Sequence, residues 1–354
     1  MPQVLTRTPR DRDSNMELLR IVSMLLVLVV HAGFRALSVP TPAEAVVAPG
    51  STLLRFFSES ASIICVNVFV LLSGWYGIRF RLLRLAEFLF QVLFFVVVGF
   101  ALYSLVFGFP GFRFSVLSSL LLADRWDYWF VKCYLGLYLF APVLNAFAER
   151  VPRSAFRLFL VSFFLFQTVY GWLMPSGAAY IEQGYSAFSF MGLYLLARYV
   201  RLHSGALWQH NRRFDLTVYL LFVLLNTLCA FVTARLGISL GTGLCFAYTN
   251  PFIILASLHF LLFFSKISFR SRLVNEVSVS CFAIYLVHSN AFLADPCYDD
   301  LILGWFRTLS TIPFLGHVVL LMAAVFVASI LLDRVRILLW QPLSRKLPVP
   351  DAYR

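Results

Sequence analysis

The chain has 354 residues, 60% hydrophobic and only 13% charged, with a mean hydropathy of +0.83. A soluble domain carries about 25% charged residues, so this composition excludes an ordinary soluble globular protein. The net charge is +12, but the basic residues sit in loops between apolar runs; that pattern reports membrane topology, and no nucleic-acid partner is expected.

Apolar runs near twenty residues recur along the whole length. Ten spans are expected, at 17–37, 56–78, 85–107, 128–147, 155–174, 184–202, 214–235, 245–265, 277–293 and 312–333. An even count returns both termini to one side. The segments 1–20, 78–84, 148–157, 198–213, 265–273 and 334–354 hold 22 of the 29 Lys and Arg residues, and the other side holds seven. The positive-inside rule therefore puts both termini in the cytoplasm. The expected fold is all-α: a polytopic integral membrane protein of about ten transmembrane helices, one membrane domain over 1–354. It divides into a cytoplasmic segment at 1–16, a ten-helix bundle over 17–333 and a basic cytoplasmic tail over 334–354. The first helix is expected to be retained, because no small-residue cleavage site follows it closely. The basic, partly apolar tail is expected to lie along the inner membrane surface. The six cysteines have no CxxC spacing and no metal-site pattern, which predicts buried, unpaired thiols and no metal.

The first span, MELLRIVSMLLVLVVHAGF, contains Arg20 and His31. A central arginine costs roughly 2.5–3.5 kcal/mol on insertion scales. Eleven residues are about three turns plus ~20°, so the two side chains share a face and stand ~16 Å apart along the axis. Glu17 is a neighbour of Arg20 on that face. Two readings are open for these residues. Ser14 and Glu17 fit a capping box, and Arg20 can snorkel to the headgroups; or the three form a polar stripe that does chemistry. His31 is an interfacial histidine or a proton carrier, the role an imidazole suits best near neutral pH.

In the second span, Ser73-Gly74 permits close helix approach and Asn67 is a polar group at membrane depth. Arg79, Arg81 and Arg84 follow, as topology signals or as counter-charge for a phosphate. The fourth span opens with Trp126, Tyr128 and Trp129 beside Asp124 and Asp127. They read as an aromatic belt at the outer interface, or as a sugar site with rings on the apolar face and carboxylates on hydroxyls. In the ninth span Tyr285 and His288, three apart, face the same way; a structural hydrogen bond and catalysis both fit. His259 and His317 have no evident partner, and His203 and His210 read as solvated.

Lined up in order, these segments resemble the acyltransferase 3 family of integral membrane acyltransferases. The likeness rests on ELLRIVSMLLVLVVH, with ten residues between arginine and histidine. FVLLSGWYGIR, YWFVKCYLGLYLFAPVLN and SVSCFAIYLVH support it, and GLYLLARYVRLH and YTNPFIILASLHFLLF look like family segments. It covers essentially the whole chain. Glu17 stands where many members have aspartate, which keeps the charge, and no esterase-like domain follows the last span.

The resemblance implies transfer of an acyl group, commonly acetyl, from coenzyme A on the cytoplasmic side to a hydroxyl of a surface glycan or its lipid-linked precursor. His31 would be the general base or a transient acyl carrier. Arg20 would bind coenzyme A phosphate or polarise the thioester, with Glu17 holding it. Arg79, Arg81 and Arg84 become donor-binding candidates, and Asn67, Ser73, Trp126, Asp127, Trp129, Tyr285 and His288 acceptor-binding candidates. The expected partners are acyl-coenzyme A as donor substrate, with no permanently bound cofactor, a glycan acceptor and the lipid bilayer; the expected location is a bacterial plasma membrane. The rivals are a glycan or solute transporter using the same charges, and a non-catalytic partner of a polysaccharide synthase.

Overall fold

A computed structural model describes residues 13–347, apart from 112, 125, 175–177, 204 and 206–208, and apart from the side chains of 239 and 240. The first twelve residues and the last seven, which carry parts of both basic terminal segments, lie outside the described residues. Every regular element among the described residues is helical.

The first helix, α1, runs Ser14–Val30 and continues into a π turn over His31–Arg35. A short helix, α2 (Pro42–Val47), and α3 (Pro49–Ser62) lead into α4 (Cys65–Tyr76). Then come α5 (Leu82–Phe107), α6 (Phe114–Leu120), α7 (Trp129–Arg150), α8 (Arg153–Thr168, with a π turn to Leu173) and α9 (Ala187–His203). The chain ends with α10 (Arg212–Arg235), α11 (Ser239–Cys245), α12 (Pro251–Ser265), α13 (Arg272–Ser278), α14 (Cys281–His288), α15 (Asp300–Thr308) and α16 (Thr311–Lys346).

Among the described residues, seven helical stretches are long and apolar enough to cross a membrane: Ser14–Arg35, Pro49–Tyr76, Leu82–Phe107, Trp129–Arg150, Arg153–Leu173, Arg212–Arg235 and Thr311–Lys346. The three other expected spans differ. The sixth is α9, of 17 residues, and the eighth is the 15-residue α12. The ninth is not one helix, because it breaks at Val279–Ser280 between α13 and α14. The tail is not a separate surface helix either. α16 continues through it to Lys346 because Asp333 and Arg336 are buried against α5, where Gln91 donates to Asp333 at 3.0 Å and Arg336 pairs with Asp333 at 2.9 Å. A charge buried with its partner needs no surface.

The core gathers around α4, which packs against α1, α9 and α12. Gly74 makes the α9 contact possible. A Cβ there would press on the Tyr194 carbonyl and stand 2.9 Å from the Ala197 Cβ. Hydrogen bonds sort the helix ends into two groups. At one end Asn15 reaches Phe264, Ser271 reaches Ser14, Tyr76 reaches Asp13, and Asn145 reaches Ile78. At the other, Arg55 holds Glu44, Arg235 holds Ala45, and Thr249 holds Gly171. The first group carries Arg20, Arg79, Arg81 and Arg84 and is called the basic end below.

The expected capping box does not form. Asp13 is the N-cap residue, with no side-chain cap bond, and the Ser14 hydroxyl accepts instead from the Ser271 N–H at 3.0 Å. All six cysteines are free as expected, but only Cys65, Cys245 and Cys281 are buried.

Candidate active site

A cavity of about 430 Å³ lies inside the bundle, walled by α1, α4, α5, α7, α14 and Tyr248. Arg20 and His31 both line it, so the two residues on one face of α1 open onto one space. At the basic end Arg20 is ion-paired with Glu17. Glu17 is buried, whereas about a third of the Arg20 side chain is exposed. Arg20 thus faces the cavity beside its carboxylate.

The deep end is held by more bonds. His31 begins the π turn, a distortion that often marks functional sites. Its Nδ1 lies 2.8 Å from Nε2 of His288 on α14. The Nδ1 of His288 is 2.5 Å from the Ile284 carbonyl. A carbonyl only accepts, so His288 carries its hydrogen on Nδ1 and offers a lone pair on Nε2. Arg35 Nη1, which only donates, lies 2.9 Å from the same His31 Nδ1, so both contacts converge on that nitrogen. His31 Nε2 has no hydrogen-bond partner among the described residues, and its ring lines the cavity.

Arg35, one turn after His31, ties this end together. Its Nε and Nη2 donate to Asp299 Oδ1 at 3.0 and 2.9 Å, and Nη2 also reaches the His288 carbonyl at 3.2 Å. Its Nη1 lies 2.9 Å from His31 Nδ1 and 3.3 Å from Ser289 Oγ. The guanidinium also sits over the Tyr298 ring. Burial pushes the Asp299 carboxyl above the usual carboxylate range, against the pull of Arg35. Beneath the π turn lies Glu59 of α3, 3% exposed, which accepts the Phe34 N–H. A Cβ at Gly33 would stand 2.7 Å from Glu59 Oε2, so the turn needs glycine there.

The other expected residues separate into two groups. Ser73, Trp129 and Tyr285 line the cavity. Ser73 lies 3.3 Å from the Tyr134 hydroxyl, and Trp129 stands beside Tyr185 and Tyr248. The rest lie elsewhere. Asn67 is buried behind the wall and donates to the Tyr248 carbonyl at 3.0 Å, which holds a cavity residue in place. His288 sits behind His31. Trp126 is 58% exposed and meets Tyr185 edge-on. Asp127 is half-buried, with Oδ2 unpartnered among the described residues, and burial pushes its carboxyl up.

Arg79, Arg81 and Arg84 do not line the cavity. They follow Gly77 and Ile78, which do, and Arg84 pairs with Glu87 at 2.9 Å. The aromatic belt also needs correcting: Tyr128 is buried, because its hydroxyl donates to Leu286 and accepts from Asn290.

Sequence reasoning passed over Arg35, Ser289, Asp299 and Glu59. Arg35 carried a signal, since it lies four residues after His31 and so on the same face. Nothing in the sequence connects Asp299 or Glu59 to that helix. His259 does have a partner, Asp215 at 3.0 Å, which also binds Lys266.

A half-buried imidazole and a guanidinium thus stand at the two ends of one cavity, a proton acceptor at one and an anion partner at the other. The family model described as an acyltransferase domain, acyltransferase 3, matches residues 13–334. The chain belongs to the acyltransferase 3 family. Membership makes it a membrane acyltransferase, with an acyl donor and an acceptor. No curated protein and no solved structure matches the chain.

Proposed function

We propose that this protein moves an acetyl or similar small acyl group from acyl-coenzyme A to a hydroxyl of a cell-surface polysaccharide or its lipid-linked precursor. The observation that carries this reading is the shared cavity, with Arg20 and His31 both in its wall. The ~16 Å between them along α1 suits a donor whose phosphates and thioester are separated by a long flexible arm. Arg20, held by Glu17, takes a phosphate at the basic end, with Arg79, Arg81 and Arg84 outside the mouth as supplementary counter-charge. The arm lies along the largely apolar wall and delivers the thioester to His31.

The acceptor hydroxyl gives its proton to His31 Nε2 as its oxygen attacks the thioester carbonyl. The tetrahedral intermediate collapses with cleavage of the C–S bond, and the imidazolium returns the proton to the departing thiolate. His288 and Arg35 both meet Nδ1 and orient the ring, so His288 acts through His31 rather than on the acceptor. Trp129, Tyr285 and Ser73 face the acceptor, and Trp126 and Asp127 belong to its approach. Asn67 supports that wall through Tyr248. Ten membrane crossings, with α9, α12 and the α13–α14 pair completing the seven long ones, give a bacterial plasma-membrane protein with both termini in the cytoplasm. The basic end then faces cytoplasmic donor, as the charge distribution of the loops favours.

The test is mass spectrometry of surface glycan from cells with the protein, without it, and with His31→Ala. The proposal expects an acyl mass shift that only the intact protein produces. Full glycan O-acylation in the His31→Ala cells, together with no coenzyme A binding by purified protein, would overturn it.

A further inference from the structure

A second cavity, of about 370 Å³, lies on the outside of the bundle between α8, α9 and α12, away from the histidines. Its wall follows single helix faces. On α8 it runs from Arg157 through Phe164 to Thr168, and on α12 from Leu258 back to Pro251, with Tyr199 of α9 between them. Eleven residues of α8 span ~16 Å, close to half of a hydrocarbon core about 30 Å thick. The groove therefore reaches from the basic end to the bilayer midplane. Arg157 is the one charged residue among its described lining residues, and it stands at that end. Arg153, one turn earlier on the same face, is exposed beside it.

Interiors are packed close to crystal density, and apolar space of this kind does not hold water. In a membrane the natural filler is hydrocarbon. The charge then selects the headgroup. Thr168 and Pro251 at the far end carry no charge, whereas Arg157 and Arg153 flank the near end. We propose that this groove binds one acyl chain of an anionic phospholipid from the leaflet at the basic end, with its phosphate on Arg157. The lipid braces α8 and α12 against α9 and is separate from the acyl-transfer site.

The full-length protein, purified in mild detergent, is exposed to equal amounts of phosphatidylglycerol and phosphatidylcholine and analysed by native mass spectrometry. The expected result is one retained lipid per chain, with phosphatidylglycerol favoured on the order of 30-fold, roughly fivefold for each of the two basic residues. Leu255→Trp fills the groove from a partly exposed position and should lose the retained lipid. Arg157→Gln leaves the groove open, so it should keep a lipid while the preference for phosphatidylglycerol falls about fivefold. No retained lipid, equal headgroup retention by the unmodified protein, or unchanged preference in Arg157→Gln overturns the proposal. So does recovery of a lipid-linked glycan in place of the phospholipid. None of these readouts depends on acyl transfer.

Discussion

The two ends of the cavity are built differently. At the deep end His31 is fixed by His288, Arg35 and Ser289, and Arg35 is itself fixed by Asp299. At the basic end Arg20 has one carboxylate beside it, and the arginines beyond the mouth are exposed or bound only at their own surface. Atoms that exchange protons need positions held to a fraction of an ångström, because a misplacement of about 1 Å can cost roughly 100-fold. A phosphate needs charge nearby and tolerates several geometries. On the proposed mechanism, rigidity in this molecule is spent where bonds change. The contrast predicts that mutations at the deep end lower turnover, whereas those at the basic end weaken donor binding.

The largest effect belongs to His31. Loss of a positioned general base typically costs about 10²–10⁴ in rate. His31→Ala should lower kcat on that scale while leaving coenzyme A affinity within about twofold, a split read by product mass spectrometry and ligand titration. Comparable loss of donor affinity would erase the distinction between the ends.

Next is Asp299. Asp299→Ala removes the carboxylate that fixes Arg35 and so loosens the guanidinium that packs 2.9 Å from His31 Nδ1. We expect kcat to fall about 10- to 100-fold with KM for the donor unchanged. Asp299→Glu should recover part of the rate, because it restores the charge on a longer arm. A fall in thermal stability with kcat preserved would show Arg35 to be only a brace. The mirror experiment is Arg20→Gln. Removing a charged hydrogen-bond donor worth ~1.5–3 kcal/mol should raise KM for the donor about 10- to 100-fold and change kcat little.

How much of this was legible in the sequence follows from the range of the interactions. Arg20 and His31 lie on one helix, where the 3.6-residue period fixes their relation, so the stripe could be read directly. The apolar runs also set most of the helices. His288 could be named from its own helix, but its bond to His31 joins residues 257 apart, and no periodic pattern carries that information. Asp299 and Glu59 are decided the same way, by packing between distant segments. The Ser14 cap fails for a related reason: a short-range motif loses to a long-range partner, Ser271. The break at Val279–Ser280 is hidden because both halves are apolar and their composition is continuous across it.

Gly33 tests the deep end with a single methyl group. Its missing Cβ leaves room for the Glu59 carboxylate against the π turn, where Glu59 accepts the Phe34 N–H. Gly33→Ala pushes that carboxylate away or shifts the turn that presents His31. Overpacking of this kind costs about 1–3 kcal/mol, and a lower melting temperature should accompany a lower kcat. Gly33→Ala with Glu59→Ala relieves the clash but leaves the N–H without its acceptor, so stability should recover further than turnover does. Equal recovery of both would make Glu59 simply a filler of space.

The smallest effect is expected outside the mouth. Arg84 is exposed and already paired with Glu87, and exposed pairs are worth about 0–1 kcal/mol. Arg84→Ala should change donor KM by less than about twofold. Arg81→Ala removes a half-buried charge nearer the cavity and should raise KM about two- to fivefold at low salt. At high ionic strength that difference should disappear, because charges separated by more than about 10 Å are screened at 0.1 M salt. Arg20 sits inside the wall, so its effect should survive the same salt. Equal salt sensitivity at Arg81 and Arg20 would place both in open solvent and deny the cavity an inner phosphate contact. A salt-resistant effect at Arg20 alone would mean that the donor is bound at two depths: steered by exposed charge at the mouth, then held by Arg20 while its acyl group lies at His31.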